Sequence, residues 1–121
     1  MNIENILKVA AAIERAPHAV VDDSCVADNV TSPIASFNMK VWRCNTVGCI
    51  GGWAVQLLLG GPFSDTDRVA DLFDIRVEDA YDLCYPSGVN YQAVTPAEAA
   101  QVLRHLAATG LVDWSILEET V

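Results

Sequence analysis

The stretch from Val47 to Leu59 constrains this chain most. It is apolar throughout except for Gln56, and Gly60, Gly61 and Pro62 close it. A bilayer-spanning helix needs about 20 apolar residues, so this run is too short to span and reads as a buried helix. The glycines suit a left-handed C-terminal residue and the proline blocks continuation. The expected core is therefore one apolar helix over 48–59 with amphipathic partners around it.

Those partners are visible as helical periods. Ile3, Ile6, Leu7, Ala10 and Ile13 fall on one face of a helix capped by Asn2 and stopped near Pro17. Val69, Leu72 and Phe73 mark a second helix, with Ser64 and Asp65 as capping candidates. Ala80, Leu83 and Cys84 mark a third. Thr95, Pro96 and Glu98 spell a capping box opening a fourth, with Ala99, Val102, Leu103 and Leu106 as its buried stripe and Gly110 as its stop. Trp114 with Ile116 or Leu117 should fold back on the body. Met39 to Arg43 reads as one helical turn, and residues 86–94 as a loop. Residues 17–38 carry Pro, Ser and Asp punctuation without a period and read as a long loop, with a short extended piece at Ala19 to Val21. The expectation is a single all-α domain of about five helices.

The 121 residues suit one domain, and 52% hydrophobic against 19% charged residues supports a sizeable core. Sixteen acids against seven Lys and Arg give a net charge of -9. Binding to phosphate backbones and to anionic membranes draws on Lys and Arg, so direct nucleic-acid or membrane binding is not expected. A protein partner with a basic surface is compatible, through electrostatic steering. The N-terminus has Glu4 and Glu14 and no basic leader, which points to the cytoplasm, where thiols stay reduced.

Cys49 raises the sharpest chemical question. With Asn45 or Thr46 as cap it would sit in the first turn of the apolar helix, where free amides and the helix dipole favour a thiolate. A cysteine-dependent hydrolase or transferase would then use Cys49 as nucleophile and His105 as base. Against this, His105 falls inside a helix, no strand is evident to present an imidazole, and free cysteine is among the most buried residue types. Metal is a further alternative. Cys44 and Cys49 are the nearest ligand pair, and Cys25, Cys84, His18 and His105 complete the inventory, but close-spaced zinc pairs are lacking. A Cys44–Cys49 disulfide would have to form against a reducing compartment. No cofactor is expected. Gly48 and Gly52 would share a helix face, and Gly51 and Gly52 each cost roughly 1 kcal/mol against alanine, which close helix packing offsets. Trp53, four residues after Cys49, would be a core aromatic beside it.

The acids between Asp65 and Asp82 offer a binding surface. Asp67, Asp71, Asp74, Glu78 and Asp82 recur at spacings that follow one helical face unless the chain breaks near Ile75. Such a row can dock a basic patch on a partner, or stand as a solvated face. "DTDRVAD" lacks the glycine turn of a calcium loop.

The segments "FNMKVWRCNTVGCIGGWAVQLL", "VADLFDIRVEDAYDLCYP" and "TPAEAAQVLRHLAATGLVDW" resemble a group of small uncharacterised bacterial and phage proteins with a C-I-x-G-W-A-like helix start. The resemblance spans residues 37–114 and is most specific at "CIGGWA". The group implies no activity and no site residues. Its occurrence in phages implies a small acidic protein, an inhibitor or adaptor acting on a host protein such as a defence factor. The resulting expectation is a non-enzymatic binding module using Asp67, Asp71, Asp74, Glu78 and Asp82, with the Cys49 enzyme and a small structural-zinc domain as alternatives.

Overall fold

The capping box at Thr95 sets the longest helix in the structure, a computed structural model that describes residues 1–19, 35–39, 43–44, 47–60, 66–86 and 93–119. The Thr95 hydroxyl accepts from the Glu98 amide at 3.1 Å, and the Glu98 carboxylate accepts from the Thr95 amide at 2.9 Å. With Pro96 at its first position, this helix runs Pro96–Thr109 and ends at left-handed Gly110. We call it α5. Its buried stripe contains Ala99, Val102, Leu103 and Leu106, as the sequence predicts.

Helix α1, Ile3–Arg15, opens where the Asn2 side chain accepts from the Asn5 amide. Its buried residues are Ile6, Val9, Ala10 and Ile13. Ile3 and Leu7 are exposed, which corrects the predicted stripe: α5 and its neighbours meet a face rotated toward Val9. The α1–α5 pair is the most extensive helix contact, and α1 also touches the two helices that follow.

Helix α2, Ile50–Leu59, is the apolar run, ended by left-handed Gly60, whose amide bonds the carbonyls of Val55 and Gln56 at 3.0 Å. It begins two residues later than the predicted 48 because the chain before it is strand. Ser36–Phe37 (β1), Arg43–Cys44 (β2) and Val47–Gly48 (β3) form a small sheet in the order β1-β3-β2, with β1 parallel and β2 antiparallel to β3. Pro17 and Ala19 bridge to Phe37, with the Phe37 amide on the Pro17 carbonyl at 2.9 Å. The expected loop over 17–38 thus includes an ordered strand at its end, and the predicted turn at Met39 to Arg43 ends in a strand. Residues 20–34, the cap candidates Asn45, Thr46, Ser64 and Asp65, and Cys25 lie outside the described residues.

Helices α3, Thr66–Phe73, and α4, Val77–Cys84, follow, and a short 3-10 helix, Trp114–Glu119, closes the described chain. Helix α2 touches α1, α3 and α4, and α3 packs on α4. Trp114 is buried and its indole N–H donates to the Asp82 carbonyl at 3.0 Å, pinning the end of α4. The fold is all-α, five α-helices among the described residues with the small sheet at the entry to α2. No helix among these residues is long and apolar enough to cross a membrane.

Candidate functional site

Two places carry chemistry-bearing residues: the entry to α2, and the acidic pair α3–α4. At the first, the paired sheet extends to Gly48, so that Cys49 is the N-cap and Gly48 is a strand residue rather than a helical neighbour of Gly52. The Asn38 amide donates to the Gly48 carbonyl at 3.1 Å, and the Trp53 indole donates to the Ser36 carbonyl at 3.0 Å. Trp53 is half-buried and ties α2 to the sheet.

This geometry places the Cys49 thiol inside the core, 2% exposed. Burial pushes it from its ordinary value of 9.0 up to about 11, outweighing the downward pull of the Gly52, Gly51 and Cys49 amides. A nucleophile needs the reverse balance, a partly exposed thiol with a lowered pKa. His105 is half-buried on α5, and among the described residues no hydrogen bond joins Cys49 to His105 or His18. The strand that the sequence hid presents no imidazole to Cys49 either. Cys84 shares the same core cluster, and its thiol is also pushed up by burial and further by Cys49. Both thiols are free, so the considered Cys44–Cys49 disulfide is not formed. Among the described residues no group of three or more His, Cys, Asp or Glu is placed to hold a metal ion. The Cys44 side chain lies outside the description.

At the second place, the acidic row breaks where the sequence allowed. Helix α3 ends at Phe73, and Asp74 turns left-handed at φ 52. The Asp74 amide bonds the Asp71 carbonyl at 3.3 Å and the Ile75 amide bonds the Ala70 carbonyl at 3.0 Å, a Schellman closure with Asp74 where glycine is commonest. Aspartate tolerates this region better than most side chains. The five predicted acids are therefore not one helical row. Asp67 and Asp71 are exposed on α3, Asp74 is exposed at the corner, and Glu78 and Asp82 are exposed on α4. Asp74 Oδ2 lies 3.2 Å from the Met1 ammonium, and Asp79 accepts from Arg76 at 3.2 and 3.3 Å, which raises the Arg76 pKa. Met1, Asp74, Ile75, Arg76, Asp79 and Gly110 line a shallow cleft of about 450 Å³ beside that corner.

A further feature escaped the sequence reading. Val77, Tyr81 and Tyr85 are 47%, 56% and 38% exposed, and recur at the four-residue spacing that places side chains above one another on a helix. The Tyr81 and Tyr85 rings lie 5.0 Å apart at 41°. The signal is a second i, i+4 series flanking the Ala80–Leu83–Cys84 stripe that forms the core contact.

No protein-family model, curated protein or solved structure matches this chain.

Proposed function

We propose that this chain is a non-enzymatic acidic binding module that captures a protein with a basic surface. The observation that carries the reading is the exposure of Asp67, Asp71, Asp74, Glu78 and Asp82 on two consecutive helices and their corner, with only Arg68 and Arg76 interposed. Carboxylates arranged this way steer a cationic partner and fix its register. The buried, neutral state of Cys49 adds support, because it leaves the thiol poorly suited to covalent chemistry. In the setting implied by the resemblance to phage and bacterial proteins, the partner is a host protein and the chain an inhibitor or adaptor.

Affinity capture from host lysate tests this. The chain should retain a salt-labile partner, and the triple variant Asp67→Lys, Asp71→Lys, Asp82→Lys should lose it while its melting midpoint stays nearly unchanged. Asp74 is left intact because it pairs with the amino terminus. Undiminished capture by the triple variant would overturn the proposal.

A further inference from the structure

We infer that the outward face of α4 is the contact patch, and that it docks an amphipathic segment bearing arginines along one border of an apolar stripe. The inference rests on the acidic-module reading and deepens it. Around the helix, Val77, Tyr81 and Tyr85 form one half of the exposed face, and Glu78 and Asp82 form the adjoining half. The opposite side, Ala80, Leu83 and Cys84, is spent on the core. Tyrosine is the residue type enriched at binding hot spots, because it offers large apolar area with few rotatable bonds. Here two of them lie against each other, centroids 5.0 Å apart and tilted by 41°, on the outside and at the C-cap of a helix whose Ala80, Leu83 and Cys84 face the core.

Charge complementarity selects the occupant. Between Val77 and Tyr85 there is no Lys, Arg or His, while Glu78 and Asp82 stand one turn apart beside the rings. A guanidinium can lie over a tyrosine face and pair with a neighbouring carboxylate at the same time, and arginine does both better than lysine. An acidic or purely apolar segment satisfies only half of this surface. The platform is fixed in place by α2 and α3 and by the Trp114 indole on the Asp82 carbonyl, so little ordering is needed on docking.

The probe is a synthetic helical peptide with leucines on one face and arginines along its border, titrated into the isotope-labelled full chain by NMR, alongside its lysine and its glutamate counterparts. Amide shifts should concentrate between Val77 and Tyr85, with the arginine peptide bound several-fold more tightly than the lysine one and the glutamate one not at all. Tyr81→Ala should weaken the arginine peptide about tenfold, Tyr81→Phe should keep most of the affinity, and Glu78→Gln with Asp82→Gln should flatten the salt dependence. Binding that moves to Asp67 and Asp71 and ignores Tyr81→Ala would overturn the inference while leaving the acidic module standing. No binding of the arginine peptide would overturn the inference, and the lysate capture with the triple lysine variant then judges the module separately. Concentration-dependent shifts on α4 without peptide would assign the face to a second copy of the chain and overturn it as well.

Discussion

Helices α2 and α4 make a useful contrast. The apolar α2 buries its first half, with Ile50, Gly51, Gly52, Ala54 and Val55 in the core, and leaves Leu57 and Leu59 exposed toward its C-terminal end. Helix α4 commits Ala80, Leu83 and Cys84 to the core and leaves Val77, Tyr81 and Tyr85 outside. Apolar residues in the first half of α2 are explained by folding. Those on the outer face of α4 are not, because they are exposed and stand outside the core cluster. Packed interiors punish lost volume, whereas exposed side chains contribute little to stability, so the two helices should respond oppositely to mutation.

The largest effect should come from α2. Ile50→Ala removes a side chain with no exposed surface and should cost about 2–5 kcal/mol in chemical denaturation. A loss below about 1 kcal/mol would mean that the entry to α2 is not the packed region described.

The Cys49 thiol gives the next effect. Its native pKa lies above its ordinary value, so the protonated thiol is favoured by folding. That stabilisation is fully present below pH 9, and is lost as pH rises toward about 11, by up to about 3 kcal/mol. Denaturation followed from pH 7 to 10.5 should therefore decline less steeply for Cys49→Ala than for the unaltered chain. Iodoacetamide at pH 7 should label Cys49 only after unfolding, and rapid labelling of the native protein would revive the nucleophile.

Thr95→Ala should cost about 1 kcal/mol by removing the hydroxyl that accepts from the Glu98 amide at the start of α5, while the residue-95 amide keeps its carboxylate partner. It provides a calibration between the two helices, because it perturbs a helix end without touching either face. The smallest change should come from Tyr81→Ala, within about 0.5 kcal/mol of the unaltered chain in stability. A loss comparable to Ile50→Ala would show that the α4 face supports the fold and would erase the contrast.

The sequence discloses whatever is decided locally. Thr95, Pro96 and Glu98 announce α5 because a capping box is complete within four residues, and Gly60 announces the end of α2 because the left-handed region suits it. Decisions made by distant partners stay hidden. The strands at 36–37 and 47–48 are two residues each, too short to show a period, and only their pairing moves the start of α2 from Gly48 to Ile50. That shift turns Cys49 from a first-turn residue into a buried cap. Ile3 and Leu7 fit the helical period of α1 as well as Val9 does, and only the position of α5 decides which are covered. The acidic series was legible residue by residue, but its corner depends on Asp74 accepting a backbone conformation usually left to glycine. The tyrosine series stays hidden because it interleaves with the Ala80–Leu83–Cys84 series on one short helix, and the two look like a single pattern.

The pairing of α1 with α5 also has a consequence for biosynthesis. Arg15 and Pro96, the facing ends of these helices in the chain, are separated by every other described element except the closing 3-10 helix. During vectorial translation at about 5–20 residues per second, α1 emerges on the order of ten seconds before the helix that covers it. Through that interval Ile6, Val9 and Ile13 lack their principal cover. The nascent chain therefore presents an amphipathic segment early and completes its core late.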